Sequence, residues 1–339
     1  MNKINCGIIG FGVGERHAKF YNKSKFTVLK KVYEKNKSYV KQLKKRYPSI
    51  NFVKNENEII NDNSIKLVSI ASYDNYHCNQ IIKCLKKNKD IFVEKPLCLN
   101  INELKRIIKV YKKSNSRISC NLNLRGSPQF KKIKSIHDKK KLGKTYYIEA
   151  DYNYGRLHKI TDGWRNKIPF YSVTYGGAVH MIDQIIWLLK DFPCEVKAEA
   201  NKIVTKKSKF RFNDFSLAML RFKSGIIGKV SSNFSCNMPH HHSLKIFGTK
   251  GTLDFGIRGL HFYNSRNKNK RPKILKFNFS EKQKNNVLKN FTMSIYRKKN
   301  YDSINFKEIL NCMLVCFAIE KSFKSNKNIK INYKNYSIK

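Results

Sequence analysis

The sequence predicts an α/β protein. A doubly wound parallel sheet occupies its N-terminal third, and a second domain of helices and largely antiparallel strands follows. Three observations predict this. From residue 4 to residue 121, short apolar runs alternate with helical periodicities, as in successive strand–helix units. A glycine-rich turn follows the first of those runs. Beyond residue 121 many runs switch to period-two alternation, which suits an antiparallel sheet with one solvated or partner-covered face. The boundaries read from this are 1–121 and 122–339.

Residues 4–9 form the first apolar strand. Gly10-Phe11-Gly12-Val13-Gly14 follows it, and then a helical pattern that includes His17 and runs through Tyr21. Residues 26–33 are a second strand, ending on Glu34, twenty residues beyond Gly14. Strand, glycine turn, helix, strand and acid make the dinucleotide-binding arrangement. The first glycines let the backbone approach a pyrophosphate, and the helix N-terminus supplies free N–H groups for it. Glu34 suits a ribose diol and hence NAD, while Lys31 and Lys35 suit the 2′-phosphate of NADP. The turn departs from the usual spacing. Its third glycine would fall at Glu15, and Gly14 comes one residue early.

Residues 67–71 form the next strand, 79–87 a helix, 91–93 a strand, 104–112 a helix and 118–121 a short strand. Ligands of such sheets bind outside the carboxyl ends of the strands. At that rim stand Ser72, Asn75 and His77 after one strand, and Glu94-Lys95-Pro96 after another. Pro96 ends the ladder because it has no N–H. A lysine partly removed from water can shift its pKa and handle a proton.

In the second domain, residues 130–136 form a helix, 146–154 a strand and 181–189 a helix. Strands are expected at 196–204, 216–222, 226–234, 243–247, 251–255, 260–263 and 274–279, and a closing amphipathic helix at 306–323. Residues 264–271 read as a charged loop. Tyr154, Arg156, Trp164 and Arg165 cluster before the 181–189 helix. Trp stacks on sugar faces and Arg grips anions through a bidentate fork. Of His240-His241-His242, only the first and third point to one side of a strand. With no carboxylate or cysteine at ligand spacing, the triplet reads as a solvated or interface feature, so no metal site is expected.

The net charge of +47 would attract nucleic acid, anionic membrane or phosphorylated substrates. The basic residues are spread along the chain rather than gathered in one aromatic patch, so no specific nucleic-acid partner is expected. At 41% hydrophobic and 12% aromatic, the chain can bury a sizeable core. Nine cysteines without a Cys-x-x-Cys pair point to a reducing compartment. The start runs directly into a strand, and no apolar run is long enough for membrane insertion. The expectation is a cytoplasmic protein.

Across nearly its whole length the chain resembles the Gfo/Idh/MocA family, which includes glucose–fructose oxidoreductase and inositol dehydrogenase. The resemblance is carried by Gly10-Phe11-Gly12 with His17, Glu34, Asn75-Tyr76-His77, Glu94-Lys95-Pro96, Asn123-Leu124-Arg125, Gly163-Trp164-Arg165, the 177–183 segment with His180 and Asp183, and Gly248-Thr249-Lys250-Gly251. It implies an N-terminal Rossmann domain and a C-terminal α/β domain. The second domain would have an open, mostly antiparallel sheet that mediates dimers or tetramers. It also implies hydride transfer between NAD(P) and a hydroxyl carbon of a sugar or related polyol.

By the same resemblance Lys95 is the catalytic or substrate-polarising lysine and His180 the acid/base histidine. Asp183, one turn on, is in position to orient the imidazole. A family acid often stands four residues before that histidine, and here the position is Gly176. The cofactor set is Gly10, Phe11, Gly12, Val13, Gly14, Glu34, Ser72, Asn75, His77, Glu94 and Lys95. The substrate set is Arg125, Tyr154, Arg156, Trp164, Arg165 and His180, for a sugar or nucleotide-sugar. Two other functions stay open: an enzyme that retains NAD and cleaves a glycosidic bond through transient oxidation, and a non-catalytic nucleotide-binding protein.

Overall fold

The computed structural model describes residues 2–278, 285–301 and 304–338. Two compact units emerge. Unit 1 comprises Met1–Asn123, Lys284–Leu310 and Tyr336–Lys339, and unit 2 comprises Leu124–Gln283 and Asn311–Asn335. Residues 284–310 and 336–339 thus group with the first unit, where a single cut at 121/122 would assign them to the second.

Unit 1 alternates β1 (Ile4–Ile9), α1 (Gly14–Lys23), β2 (Thr27–Tyr33), α2 (Lys37–Arg46), β3 (Phe52–Val53), α3 (Asn57–Ile60), β4 (Leu67–Ile70), α4 (His77–Lys86), β5 (Asp90–Val93), α5 (Ile101–Tyr111) and β6 (Ile118–Cys120). All six strands are parallel, in the order β3-β2-β1-β4-β5-β6. Order reverses between β1 and β4, which is where dinucleotides bind in such sheets. β4 and β6 are buried throughout, and β1 and β5 nearly so. That is why these strands read as continuous apolar runs. α5 begins on Asn100, whose side chain accepts the Glu103 N–H at 2.9 Å, while Glu103 accepts the Leu99 N–H at 2.8 Å. Such a cap is worth about 1 kcal/mol.

Unit 2 contains α6 (Pro128–Asp138), β7 (Thr145–Asn153), α7 (His158–Thr161), a π-helical turn (Thr174–Ala178) leading into α8 (Val179–Leu189), β8 (Pro193–Asn201), β9 (Phe215–Phe222), β10 (Ile227–Asn233), β11 (His241–Gly248), β12 (Gly251–Gly256), β13 (Gly259–Tyr263) and β14 (Lys273–Ile274). Then come α9 (Asn286–Tyr296), counted in unit 1, α10 (Phe306–Ser325) and β15 (Ile329–Lys330). The sheet runs β14-β13-β12-β11-β7-β10-β9-β8-β15, and every pair is antiparallel except β7 with β10. β9 alternates buried and open residues along its length, and β7 does so from Tyr147 onward.

Some expected bounds move. β8 starts at Pro193 and stops at Asn201, because Asp214 draws in the Thr205 N–H and hydroxyl, both at 2.7 Å, to hold a turn where a strand was expected. Where a strand was expected at 274–279 the assigned strand is Lys273–Ile274, Leu275 adds one hydrogen bond to the Leu260 carbonyl at 2.8 Å, and Phe279 lies outside the described residues. Among the described residues no helix is long and apolar enough to cross a membrane.

Candidate active site

In unit 1 the site is built at the carboxyl ends of β1, β2, β4 and β5. Gly10 has φ +90°, and an added Cβ would lie 2.5 Å from the Ala71 carbonyl oxygen, so only glycine fits this turn. At Gly12 a Cβ would meet no atom within 4 Å, leaving the backbone open to close approach. At Gly14 an added Cβ would lie 2.9 Å from the Ile8 side chain and 3.4 Å from that of Ala71. The close helix–strand packing expected of a glycine at 15 therefore comes from position 14. Glu15 is free to pair with Lys19 (2.6 Å) and Arg46 (2.5 Å). α1 follows with no side-chain cap on its first turn, which leaves its N–H groups to a ligand. Phe11 contributes backbone only. Its ring is fully buried, edge-on to Tyr47 and Phe52. Val13 is exposed beside it.

Glu34 is fixed by the chain itself. Oε2 accepts the Phe11 N–H at 2.8 Å and Oε1 accepts the Asn36 N–H at 2.9 Å. Each oxygen keeps a second lone pair for a ribose hydroxyl. Both lysines considered for a 2′-phosphate are engaged. Lys31 pairs with Asp62 at 2.8 Å, and Lys35 donates to the Tyr76 hydroxyl at 2.5 Å. Ser72 donates to Gln80 at 2.6 Å. Asn75 Oδ1 is buried without a hydrogen-bond partner among the described residues, and a bound amide or hydroxyl would satisfy it. The open face at Gly12, this orphaned acceptor and the fixed Glu34 together fit a dinucleotide.

Two expectations about this rim change. His77 does not line a crevice. Its ring is wholly buried, with Nδ1 2.7 Å from the Pro96 carbonyl and Nε2 3.2 Å from that of Ser72. It braces the loop after β4 against the loop after β5. Glu94 faces inward as well: His17 Nε2 stands 3.2 Å away and Asn121 donates to it at 2.6 Å. Burial opposes its ionisation, but His17, Asn121 and the Lys95 charge outweigh that and hold the carboxyl below its ordinary pKa. Lys95 itself is half-buried at the end of β5.

In unit 2 most of the expected substrate residues gather around α8. His180 is 6% exposed, its ring stacked on Tyr152 at 5.9 Å and 16°. Tyr152 stacks in turn on Tyr154 and Phe234. The Arg156 guanidinium lies 5.5 Å and that of Arg165 5.8 Å from the Tyr154 ring, and Arg165 also covers Trp164 at 4.8 Å. Burial pushes the Tyr152 phenol up, and the neighbouring arginines counter it only in part.

Arg125 and Asp183 belong together rather than to this cluster. Arg125 meets the Asp183 carboxylate through Nε (2.9 and 3.1 Å) and a terminal nitrogen (2.7 Å), with both residues buried. Asp183, expected to orient the imidazole, thus has the guanidinium as its bidentate partner, and Arg125 is held away from the substrate role it was given.

Sequence reasoning missed Tyr152, Tyr171, Phe234 and the part played by the histidine triplet. His242 is directly opposite Tyr152 in the β7–β11 register. His240 and His242 lie 5.0 Å apart, both edge-on to the Tyr152 ring. They are a half-buried wall of the site, not a solvated patch. Burial, then the neighbouring histidines, bring the His242 pKa down to about 3, and burial lowers His240 too. The available signal was the matched alternation Tyr152-x-Tyr154 and His240-x-His242, which becomes informative once the two strands are paired. Among the described residues no group of His, Cys, Asp or Glu is placed to hold a metal ion.

Comparison with known proteins adds three findings. A family model described as an oxidoreductase family with an NAD-binding Rossmann fold matches residues 4–122, and the GFO/IDH/MocA C-terminal domain matches residues 130–254. The myo-inositol 2-dehydrogenase of Thermotoga maritima is 22% identical over 339 residues, covering 97% of this chain and 98% of its own. Oxidoreductase P35 of Formosa agariphila is 26% identical over 267 residues, 76% of this chain and 80% of its own. Among solved structures, levoglucosan dehydrogenase in complex with NADH and levoglucosan superposes with a TM-score of 0.85 at 19% identity, over 98% of this chain and all of that one. Myo-inositol 2-dehydrogenase from Lactobacillus plantarum gives 0.82 at 18% identity, with the same coverage. At these identities the structural matches speak to the fold.

Proposed function

We propose that this chain, which belongs to the Gfo/Idh/MocA family of oxidoreductases, transfers a hydride between NAD and a secondary hydroxyl carbon of a sugar or nucleotide-sugar. The observation carrying this reading is the glycine turn, open at Gly12 and tied through the Phe11 N–H to a carboxylate at the end of β2. Bound NAD supplies the hydride acceptor. The uncapped start of α1 and the Gly10–Gly14 backbone hold the pyrophosphate, and Glu34 holds the ribose diol. With Lys31 and Lys35 engaged elsewhere, NAD is the better fit than NADP.

In this reading His180 takes the hydroxyl proton while the Lys95 ammonium stabilises the developing alkoxide. Glu94, kept ionised beneath Lys95, favours the protonated amine. Tyr154, Trp164 and the two arginines above them receive the sugar ring and any anionic group on it. Arg125 and Asp183 act by fixing α8. The sheet of unit 2 joins copies of the chain through its outer face, where Leu217, Met219 and Ile227 are exposed.

Related proteins act on polyols and anhydro-sugars by their names, so neutral polyols, sugars and nucleotide-sugars form the first substrate panel. Wild-type protein is expected to bind NADH and to reduce NAD with at least one member. Lys95→Met is expected to cut kcat by at least a thousandfold while NADH binding survives. Wild-type turnover by that variant overturns the role of Lys95. Activity that needs catalytic NAD without accumulating NADH assigns the redox-neutral cleavage reaction instead.

A further inference from the structure

About one turn ahead of His180 the backbone is Gly176, and the space its side chain would take holds the phenol oxygen of Tyr171. An added Cβ would lie 2.1 Å from that oxygen and 2.8 Å from the ring carbon behind it. Arg165 Nε–H donates to the same oxygen at 2.9 Å, and its guanidinium lies 5.6 Å from the ring. Tyr171 is 2% exposed, with Trp164, Phe210 and Phe234 around it. Residues 174–178 are a π-helical turn that runs straight into α8, so the side-chain position of residue 176 lies about one turn before that of His180. An oxygen standing at the side-chain position of residue 176 is therefore within direct or one-water reach of the His180 imidazole.

From this juxtaposition we infer that Tyr171, held by Arg165, is a proton-relay residue serving His180. The inference rests on the reading of His180 as the base. During oxidation, for which bound NAD would supply the hydride acceptor, the substrate hydroxyl gives its proton to the imidazole. The imidazolium N–H then passes that proton to the Tyr171 oxygen as the phenol releases its own proton to water. The oxygen has the capacity for this: it accepts from Arg165 and from the imidazolium while donating once. The guanidinium charge stabilises any phenolate character during the transfer. The other titratable groups around this pair are Tyr152, stacked on the His180 ring, with Tyr154 stacked on Tyr152, His240 and His242 edge-on to it and Arg156 over Tyr154, and, one turn on, the Asp183–Arg125 pair.

Tyr171→Phe keeps the ring and its neighbours and removes only the oxygen, so it tests the relay without opening a cavity. The first readout needs no substrate: NMR titration of the His180 ring, assigned by its loss in His180→Gln. Its pKa is expected to move by about half a unit or more in Tyr171→Phe, and to rise in Arg165→Gln as a nearby positive charge is removed. With NAD and substrate, Tyr171→Phe is expected to lower kcat about 10- to 100-fold with NADH affinity unchanged, and to change the pH profile of kcat. An imidazole pKa unmoved in both variants, or a wild-type kcat and pH profile in Tyr171→Phe, overturns the inference. A moved pKa in a protein that oxidises nothing on the panel keeps the coupling and overturns the oxidoreductase reading.

Discussion

Each unit has glycines at the centre of its candidate site, and the two sets serve opposite ends. In the turn after β1 the face of Gly12 is empty for 4 Å, and fixed polar groups stand around the gap. In the turn before α8 the room beside Gly176 and Gly177 is already taken. At Gly177 an added Cβ would lie 2.4 Å from the Ser232 hydroxyl, 2.5 Å from the Tyr152 ring and 2.7 Å from Phe234. A glycine therefore marks close approach, but its neighbours decide whether a ligand or the chain's own side chains do the approaching. Unit 1 is a backbone cradle with charges held at its rim. Unit 2 is a packed aromatic wall with neutral imidazoles in it.

The contrast can be broken most forcefully at the support of that wall. Arg125→Met leaves Asp183 buried without its bidentate partner, and a loss of about 3–5 kcal/mol is expected in denaturant unfolding. Gly177→Ala comes next. Three contacts under 3.0 Å must give way, costing about 1–3 kcal/mol, whereas Gly12→Ala should leave stability within about 0.5 kcal/mol. Gly12→Ala is expected instead to weaken NADH binding, measured by fluorescence titration. If Gly12→Ala unfolded the protein and Gly177→Ala did not, the comparison would be the wrong way round.

Glu34→Gln sharpens the cradle side. A charge-assisted hydrogen bond to the ribose is worth about 1.5–3 kcal/mol, so NADH affinity should fall about tenfold or more. The smallest effect concerns acid. His242 has a folded pKa of about 3, below its ordinary value near 6.5. Between those values the unfolded chain binds more protons, so this group removes stability as pH falls from 6.5 towards 3. Glu94, also held low, acts in the same direction below its ordinary value of 4.5. His242→Phe is expected to flatten the fall of Tm between pH 6.5 and 5. An unchanged slope would show that this imidazole is not held neutral.

Much of unit 1 was legible because parallel strands buried on both faces announce themselves as apolar runs, as at residues 67–70 and 91–93. The stretch from 35 to 66 was silent for physical reasons. β3 has two residues, α3 has four, and α2 buries only Leu43. The one usable signal there was Asn36, which caps α2 by accepting the Tyr39 N–H at 3.1 Å. In the site, residues at strand ends could be named from local sequence, since topology alone takes them to one rim. Partners could not. That Asp183 belongs to Arg125, that His77 braces Pro96, and that His242 faces Tyr152 depend on pairings between segments far apart in the chain.

Glu34 carries one last implication, for attempts to change which dinucleotide the protein accepts. The obvious route is to exchange this acid for a small or basic residue that welcomes an extra phosphate. Here the same carboxylate also receives the amides of Phe11 and Asn36. Its removal would strip two backbone donors at once and loosen the loop meant to hold the new ligand. Selectivity and scaffold share one side chain, so a successful switch needs a second change that gives those amides another acceptor.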